Sequence, residues 1–352
     1  MSQYWSQVIR ELEPYVPGEQ PKNQRYIKLN TNENPYPPSP RVIEAIKAAT
    51  DASLRRYPDP NCDDLKQAMA DYHEIGREQV FVGNGSDEVL ALAFISFFKQ
   101  QAPILFPDIT YSFYIVYCRF FEIAYECLPL TDDFDISLSD YERPNGGIIF
   151  ANPNAPTGKL LSLEKVETLL KRNQQSVVIV DEAYIDFGGQ SAVALIADYP
   201  NLLVIHTLSK SRSLAGMRVG AAMGPVALIE GLERAKNSFN SYPLDRLALV
   251  GAVEALKDTG YFRSTCEKVI QTREWTTAEL GKMNFEVVPS KTNFIFMKHP
   301  RIAAETLFTQ LKAQNILVRF FDKPRIKEFL RITIGTDEDM QIFVQTLRQI
   351  AG

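Results

Sequence analysis

Residues 177–180 are four consecutive β-branched, apolar side chains, and Asp181 follows them directly. An apolar run without polar alternation is typical of a parallel strand that is buried on both faces. Similar runs occur at residues 80–82, 147–151 and 202–205, and a polar or glycine-rich segment follows each of them. Helical patterns alternate with these runs. The sequence therefore predicts an α/β fold with a mainly parallel sheet.

Polar groups near the ends of these strands are expected to meet at one edge of the sheet, where open α/β sheets bind ligands. Lys210 follows the run at 202–205, and partial desolvation there favours the free amine that forms Schiff bases with aldehydes. Ser209 and Arg218 offer the hydroxyl and the guanidinium fork that hold phosphate. An aldehyde that carries a phosphate is pyridoxal phosphate, and Asp181 can pair with its protonated pyridine nitrogen. These residues predict a pyridoxal phosphate site.

A glycine-rich turn, Gly-Asn-Gly-Ser-Asp-Glu at residues 83–88, lies between the run at 80–82 and a helical pattern over residues 89–98. Such a turn cradles phosphate, because the first amides of the helix point at the anion. The glycine spacing matches neither a dinucleotide fingerprint nor a Walker loop, which disfavours nucleotide binding. Beyond this helix, Tyr111 can stack on a flat ring.

The run at residues 147–151 leads into Asn-Pro-Asn-Ala-Pro-Thr-Gly, a cluster typical of turns. Four strand ends thus carry, in order, the glycine-rich turn, this turn, Asp181 with Tyr184, and the Ser-Lys pair with a trailing arginine. This order resembles the fold-type-I pyridoxal phosphate-dependent aminotransferases and, within them, most closely the histidinol-phosphate aminotransferases. The resemblance covers nearly the whole chain, through segments at residues 12–15, 29–36, 56–59 and 330–336.

The resemblance implies a role for each of these residues. Lys210 would hold the cofactor aldehyde and move the proton, Asp181 would bond the pyridine nitrogen, and Tyr184 would contact the phenolic oxygen. Asp87 would support the glycine-rich turn, and Tyr111 would lie on the ring face. Four residues would hold the cofactor phosphate: Gly85, Ser86, Ser209 and Arg218.

One position departs from the family pattern. Many relatives have asparagine immediately before Pro-Thr-Gly, where it bonds the phenolic oxygen of the cofactor. This chain has Ala155 at that place and Asn154 one residue earlier. Either the turn presents Asn154 to the ring or Tyr184 serves alone.

The resemblance also implies a homodimer. Tyr57 matches the family tyrosine that reaches the cofactor phosphate of the neighbouring subunit. Each active site would then be shared by two chains.

Two arginines in the last third of the chain indicate an anionic substrate group. Arg319 and Arg331 each adjoin a short apolar run, and their spacing suits two adjacent strands. Guanidinium forks bind phosphate or carboxylate, so a phosphate ester and an amino acid both stay open. The resemblance places both arginines at the substrate phosphate. Three further residues are expected in the same pocket: Tyr15, Asn32 and Tyr242.

For the family substrate, the implied reaction transfers the amino group of histidinol phosphate to 2-oxoglutarate. The products are imidazole acetol phosphate and glutamate, in histidine biosynthesis. Three alternatives stay open: an aminotransferase for phenylalanine or tyrosine, a pyridoxal phosphate-dependent decarboxylase of phosphorylated amino acids, and a binding protein that has lost catalysis. The retained Lys210, Asp181, Tyr184 and Arg218 disfavour the last of these.

Charge and composition disfavour several other classes. The net charge of −5, without a basic run, disfavours a nucleic-acid module. The apolar stretch at residues 89–98 is too short to span a bilayer, and the acidic start of the chain does not fit a signal peptide. Four cysteines without Cys-x-x-Cys spacing and three scattered histidines predict neither a metal site nor a disulfide scaffold. This cysteine usage suits the cytoplasm.

The length of 352 residues suits about two domains. The cofactor motifs lie between residues 31 and 246, which predicts a large pyridoxal phosphate-binding domain. The resemblance gives its sheet seven strands. A helical pattern over residues 247–279 and several short strands follow. Residues 247–352, together with an N-terminal arm over residues 1–30, predict a smaller α+β domain.

Overall fold

The computed structural model of the protein describes residues 2–15, 18–20 and 26–351, so parts of the predicted N-terminal arm and the last residue lie outside the described residues. The strands within these ranges are β1 (Ile27–Lys28), β2 (Val80–Asn84), β3 (Ile104–Pro107), β4 (Tyr125–Leu128), β5 (Ile148–Ala151), β6 (Val178–Asp181), β7 (Leu202–Thr207), β8 (Val219–Met223), β9 (Glu286–Val288), β10 (Phe294–Lys298), β11 (Ile316–Leu317), β12 (Arg319–Phe320) and β13 (Leu330–Thr333).

The α-helices are α1 (Gln7–Glu11), α2 (Pro40–Ala48), α3 (Asp63–His73), α4 (Gly85–Ala93), α5 (Phe113–Phe121), α6 (Leu163–Arg172), α7 (Val226–Phe239), α8 (Arg246–Lys257), α9 (Thr259–Gly281), α10 (Ala304–Ala313) and α11 (Asp337–Ala351). A π-helical turn, Phe94–Phe98, continues α4. Short 3-10 turns lie at Ala52–Arg55, Arg77–Gln79, Leu138–Tyr141, Ile185–Phe187, Ala192–Leu195 and Ala215–Met217. Of the helices in the described ranges, none combines the length and the apolar character needed to cross a membrane.

Seven strands form the large sheet, in the order β2-β8-β7-β6-β5-β3-β4. The strands from β7 to β4 pair in parallel, whereas β8 runs antiparallel to β2 and β7. Side chains of β6 alternate between two apolar clusters, with Val178 and Val180 in one and Ile179 in the other. Both faces of the sheet are therefore covered, which explains the uninterrupted apolar run. The predicted α/β fold with a mainly parallel sheet is confirmed.

The smaller domain combines both ends of the described chain. Strands β12, β13, β10 and β9 form an antiparallel sheet in that order, and β1 pairs in parallel with β11. Buried side chains of α9 and α11, such as Val269, Phe343 and Leu347, share one apolar cluster with these strands. Leu29, directly after β1, belongs to the same cluster.

Helix α8 begins at residue 246, where the large domain is predicted to end. Helix α8 packs against α2 and α3, and its buried face belongs to the core of the large domain. The helical pattern predicted over residues 247–279 is interrupted at Asp258, which ends α8. The Asp258 carboxylate accepts a hydrogen bond from the N–H of Tyr261 and so caps α9. Apolar residues continue on both sides of Asp258, so the sequence pattern does not show that the helix is interrupted there.

Candidate active site between the domains

A cavity of about 900 Å³ lies at the carboxyl ends of the parallel strands. Ala151, Asp181 and Thr207, the last residues of β5, β6 and β7, line it. Arg319 and Arg331 of the small domain line it as well, so the cavity lies between the domains. It brings together twelve of the residues predicted from the sequence: Tyr15, Asn32, Ser86, Asp87, Tyr111, Asp181, Tyr184, Ser209, Lys210, Arg218, Arg319 and Arg331.

Strand β2 runs directly into α4 at Gly85, and this junction forms a cradle. Gly85 has a φ of +76°, and a Cβ atom there would lie 2.5 Å from Nη2 of Arg218. A Cβ atom on Gly220 of β8 would meet the amide nitrogen of Ser86 at 2.3 Å. Both positions therefore require glycine. The first amides of α4 have no partner within the helix, which makes its amino terminus suited to bind an anion.

Asp87 connects this cradle to the cavity wall. One of its carboxylate oxygens accepts a hydrogen bond from Nη2 of Arg218 at 3.0 Å, and the other accepts from the Tyr111 hydroxyl at 3.0 Å. Burial, reinforced by the nearby Asp87 carboxylate, raises the pKa of Tyr111 well above its ordinary value. Tyr111 therefore stays a neutral donor, and Asp87 holds both side chains beside the amino terminus of α4.

Asp181 is a buried carboxylate at the end of β6. It accepts hydrogen bonds from the Tyr114 hydroxyl at 2.8 Å and from the N–H of Ala183 at 3.2 Å. Burial raises its pKa to about 6 although both hydrogen bonds oppose this change. A carboxylate in this environment is suited to pair with a cation that arrives with a ligand.

Lys210 lies in the loop that follows β7. Its Nζ donates a hydrogen bond to the carbonyl oxygen of Thr31 at 3.3 Å and lies 5.9 Å from the ring centroid of Tyr184. The neighbouring Ser209 is buried, and its hydroxyl oxygen accepts a hydrogen bond from Thr207 at 3.0 Å. The amine and the phenol thus line the same part of the cavity.

The Asn154 side chain does not line the cavity. Its amide nitrogen donates hydrogen bonds to the carbonyl oxygen of Ile109 at 2.9 Å and to the Thr157 hydroxyl at 3.0 Å, so both amide hydrogens are engaged. Ala155 lines the cavity instead. Tyr184 also lines the cavity.

Arg319 and Arg331 lie directly opposite each other in the β12–β13 pair. Nη2 of Arg331 donates to the carbonyl oxygen of Asn30 at 3.0 Å, while its buried Nε has no hydrogen-bond partner among the described residues. Removal from water, together with the charge of Arg319, lowers the pKa of Arg331. The aromatic rings of Phe294 and Phe321 lie 5.3 and 5.6 Å from its guanidinium. A guanidinium with an unused donor beside a second cation is suited to an anionic ligand.

Tyr57 and Tyr242 lie outside the cavity of their own chain. Their rings stack on each other with 4.7 Å between centroids, and they are 79% and 42% exposed. Tyr242, which is expected in the substrate pocket, does not line this cavity, and its ring stacks on Tyr57 instead. Tyr15 does line the cavity, and its ring lies 5.0 Å from that of Phe113.

Sequence reasoning missed two residues that support this site, Tyr114 and Thr333. Tyr114 lies in the apolar helix α5, where a tyrosine is typical of an ordinary core position. Thr333 follows Arg331 by two positions, so both side chains project to the same face of β13. This alternation is a signal that the sequence does contain.

Comparison with known proteins identifies the family. The family model described as "Aminotransferase class I and II" matches residues 24–347. The chain belongs to this aminotransferase family. It is 61% identical to histidinol-phosphate aminotransferase 2 of Dechloromonas aromatica (strain RCB) over 100% of both chains. It is 59% identical to histidinol-phosphate aminotransferase 1 of Methylococcus capsulatus (strain ATCC 33009 / NCIMB 11132 / Bath), over 100% of this chain and 99% of the relative. The resemblance to aminotransferases is confirmed.

Solved structures share the aminotransferase fold. The histidinol-phosphate aminotransferase from Sinorhizobium meliloti, in complex with pyridoxal-5'-phosphate, superposes with a TM-score of 0.90 at 22% identity, over 100% of this chain and 98% of that one. The L-threonine-O-3-phosphate decarboxylase from Porphyromonas gingivalis has a TM-score of 0.78 at 20% identity, over 92% and 99%. The fold therefore accommodates both transamination and decarboxylation, and it does not distinguish between them.

Aminotransferases of this family use pyridoxal phosphate, which confirms the cofactor predicted from the sequence. The cavity of this aminotransferase fits that group. Ser86 at the amino terminus of α4 lines the cavity together with Ser209 and Arg218, which suits a phosphate, and the buried Asp181 suits a protonated pyridine nitrogen. The Lys210 amine lines the same cavity, as an aldehyde partner requires.

Proposed function

We propose that this aminotransferase transfers the amino group of L-histidinol phosphate to 2-oxoglutarate, giving imidazole acetol phosphate and glutamate in histidine biosynthesis. The observation that carries this proposal is the pairing of Arg319 with Arg331 in the cavity wall. Two adjacent cations suit a phosphate monoester, with up to two negative charges at neutral pH, better than a carboxylate with one. Full-length relatives of 55–61% identity that are named histidinol-phosphate aminotransferases support it.

In this proposal, the cofactor phosphate lies at the amino terminus of α4, where the helix dipole and the free amides favour an anion. Asp181 would pair with the pyridine nitrogen, Tyr184 would contact the phenolic oxygen, and Tyr111 would lie over the ring face. Four residues complete the phosphate site: Gly85, Ser86, Ser209 and Arg218. Ser86, Ser209 and Arg218 line one cavity, and Gly85 lies against the Arg218 guanidinium, which supports these assignments.

Pyridoxal phosphate, when bound, withdraws into its ring the electron pair released at the substrate carbon. Asp181 keeps the pyridine nitrogen protonated, because a cation beside a buried carboxylate stabilises both charges. Nζ of Lys210 takes the proton from the substrate carbon that carries the amino group and later returns it to complete the transfer. Arg319 and Arg331 hold the substrate anion, which fixes the distance between that carbon and Lys210.

We infer that the active unit is a homodimer in the cytoplasm. Tyr57 is 79% exposed although it is a large aromatic residue, and such residues are enriched at protein interfaces. In a dimer, Tyr57 reaches the cofactor phosphate of the neighbouring subunit, and its stacking partner Tyr242 borders the same pocket. The four cysteines are free thiols, as suits a reducing compartment.

Aromatic side chains at the substrate end favour a second candidate, the transamination of phenylalanine or tyrosine. Phe321 lines the cavity beside the Arg331 guanidinium, so an aromatic substrate would find both a ring surface and a cation there. The single negative charge of the carboxylate of such an amino acid would neutralise only one of the two arginines, Arg319 and Arg331. We therefore place this candidate second.

A half-reaction tests the proposal. The pyridoxal form of the protein is mixed with histidinol phosphate or, separately, with phenylalanine, and the conversion of the cofactor to its aminated form is followed by absorbance. Fast conversion by histidinol phosphate and slow conversion by phenylalanine is the expected result. The reverse order would establish the second candidate. Release of carbon dioxide without dependence on a 2-oxo acid would establish a decarboxylase.

A further inference from the structure

The Tyr184 hydroxyl is hydrogen bonded to Asn32. Nδ2 of Asn32 donates to the hydroxyl oxygen at 2.9 Å. Because the oxygen accepts this bond, the hydrogen of the hydroxyl is available to a second acceptor. Tyr184 lines the cavity, so a group of a ligand bound there can serve as that acceptor.

Thr333 fixes the orientation of the Asn32 amide. The Thr333 hydroxyl donates to Oδ1 of Asn32 at 3.0 Å, and its oxygen accepts from the backbone N–H of Asn32 at 2.9 Å. Because Oδ1 of Asn32 faces Thr333, its Nδ2 faces Tyr184. The Thr333 hydroxyl thus donates to Asn32, and Asn32 donates in turn to Tyr184. Asn32 and Thr333 are only 1% and 2% exposed, so water does not compete for these bonds.

The backbone conformation of Asn32 is maintained by the surrounding structure. Its φ of +57° lies in the left-handed region, which asparagine adopts more readily than most residues other than glycine. The Asn32 carbonyl oxygen accepts a hydrogen bond from Nδ2 of Asn293 at 3.0 Å, which helps to hold this conformation. Residues held in sparsely populated conformations concentrate at functional sites, where surrounding bonds maintain them.

We propose that Thr333 and Asn32 are positioning residues that direct the Tyr184 hydroxyl to donate to the phenolic oxygen of the cofactor. This arrangement compensates for Ala155, which cannot supply the amide donor that many relatives have at that place. The inference rests on the proposed position of Tyr184 at the cofactor and not on the identity of the amino donor. It also assigns a second task to β13, because Arg331 on the same face holds the substrate anion.

The test is a pH titration of the absorption spectrum of the cofactor-loaded protein, without any amino donor. A donated hydrogen bond stabilises the anionic form of an oxygen, so its loss raises the pH midpoint at which the bound cofactor loses its proton. Thr333→Val removes the hydroxyl at similar volume and should raise this midpoint by about one pH unit or less. Tyr184→Phe should raise the midpoint at least as much. Thr333→Ser keeps the hydroxyl and should therefore retain the wild-type midpoint.

Thr276→Val is the matched control. Thr276 is as deeply buried as Thr333, but its hydroxyl donates to the carbonyl oxygen of Thr272 within α9, away from the cavity. Its substitution should leave the midpoint unchanged even where the melting temperature falls. The double variant Thr333→Val/Tyr184→Phe should shift no further than Tyr184→Phe alone, because Thr333 acts on the cofactor only through the Tyr184 hydroxyl.

Two results would overturn the proposal in distinguishable ways. A midpoint that is unchanged or lowered in Thr333→Val, while Tyr184→Phe raises it, would show that Thr333 does not direct the phenol. A midpoint that is unchanged in Tyr184→Phe would show that Tyr184 does not contact the cofactor, and the roles of Asn32 and Thr333 would fall with it. Neither result bears on the substrate, since no amino donor is present.

Discussion

Asp181 occupies a position that destabilises the protein when the cofactor is absent. Its pKa of about 6 in the folded protein exceeds the value of about 4 for an exposed aspartate. Between these pH values the folded state binds more protons than the unfolded state, so stability falls as the pH rises through this window. By neutral pH the loss amounts to roughly 3 kcal/mol. A bound pyridinium cation would offset this loss.

We expect Asp181→Asn to raise the melting temperature of the cofactor-free protein by a few degrees at pH 7.5, because the amide needs no charge. The gain should disappear near pH 4, where the wild-type carboxyl is protonated as well. The variant should also bind pyridoxal phosphate more weakly. Calorimetry at the two pH values and a fluorescence titration measure these effects. The exposed Asp140→Asn is the control, and an equal response of both variants would contradict burial as the cause.

Arg331 tests the substrate assignment at the level of a single side chain. Arg331→Ala should lower kcat/KM for histidinol phosphate about a hundredfold, mainly through KM, because it removes a charge-assisted contact with the substrate anion. Arg331→Lys keeps the charge without the planar fork and should retain part of the activity. Steady-state kinetics with histidinol phosphate and phenylalanine compare the two candidates. A larger loss with phenylalanine would favour a carboxylate as the anion at Arg331.

The loop between β12 and β13 joins the two domains beside the cavity. Arg325 in this loop donates hydrogen bonds to Asp108 at 2.8 Å and to the carbonyl oxygens of Leu130 and Thr131 at 2.8 and 3.0 Å. Arg325 lines the cavity and has a φ of +69°. The large domain therefore fixes the loop that connects the two arginine-bearing strands.

We expect Arg325→Ala to release this loop. Loss of the three bonds should weaken its attachment by about 1–3 kcal/mol, increase proteolytic cleavage within it and raise KM for the phosphorylated substrate several-fold. Limited proteolysis followed by mass spectrometry locates the cleavage, and kinetics give KM. Lys327→Ala, at an exposed cation of the same loop, is the matched control. Equal cleavage of both variants would show that Arg325 does not attach the loop.

The sequence predicts strands most reliably where all side chains of the strand are buried. The runs that became β5, β6 and β7 are apolar because both sheet faces are covered, and the polar residues at their ends meet as expected. Strand β8 gave no comparable signal, since Val-Gly-Ala-Ala-Met is small and its antiparallel insertion between β2 and β7 depends on long-range pairing. The engagement of Asn154 by Ile109 likewise depends on contacts distant in sequence.

The proposed homodimer predicts that two inactive variants can restore activity to each other when their subunits are exchanged. Lys210→Ala should abolish turnover by removing the proton carrier, and Tyr57→Ala should weaken cofactor binding in the neighbouring subunit. When the two variants are mixed and allowed to exchange subunits, each mixed dimer contains one site with both wild-type residues. Activity should then recover to about a quarter of the wild-type value, since half of the randomly formed dimers are mixed and each has one intact site.

Sedimentation of each variant before mixing controls for altered assembly. Both should sediment at about twice the chain mass of 39.9 kDa. Dimers that exchange subunits without recovering activity would show that Tyr57 acts within its own chain or not at all. A monomeric wild-type protein with full activity would exclude a shared site.

The parallel pairing of Ile27 with Ile316 affects when the protein can fold during its synthesis. A chain emerges from the ribosome amino end first, and its domains generally fold as units in that order. The strands of the large sheet, from β2 to β8, have all emerged long before Ile316. The segment that contains β1 must therefore remain unpaired through most of translation. Asn32 from that early segment and Arg331 from the late one both line the cavity. The nascent chain can therefore form its complete active site only after nearly all of it has been synthesised.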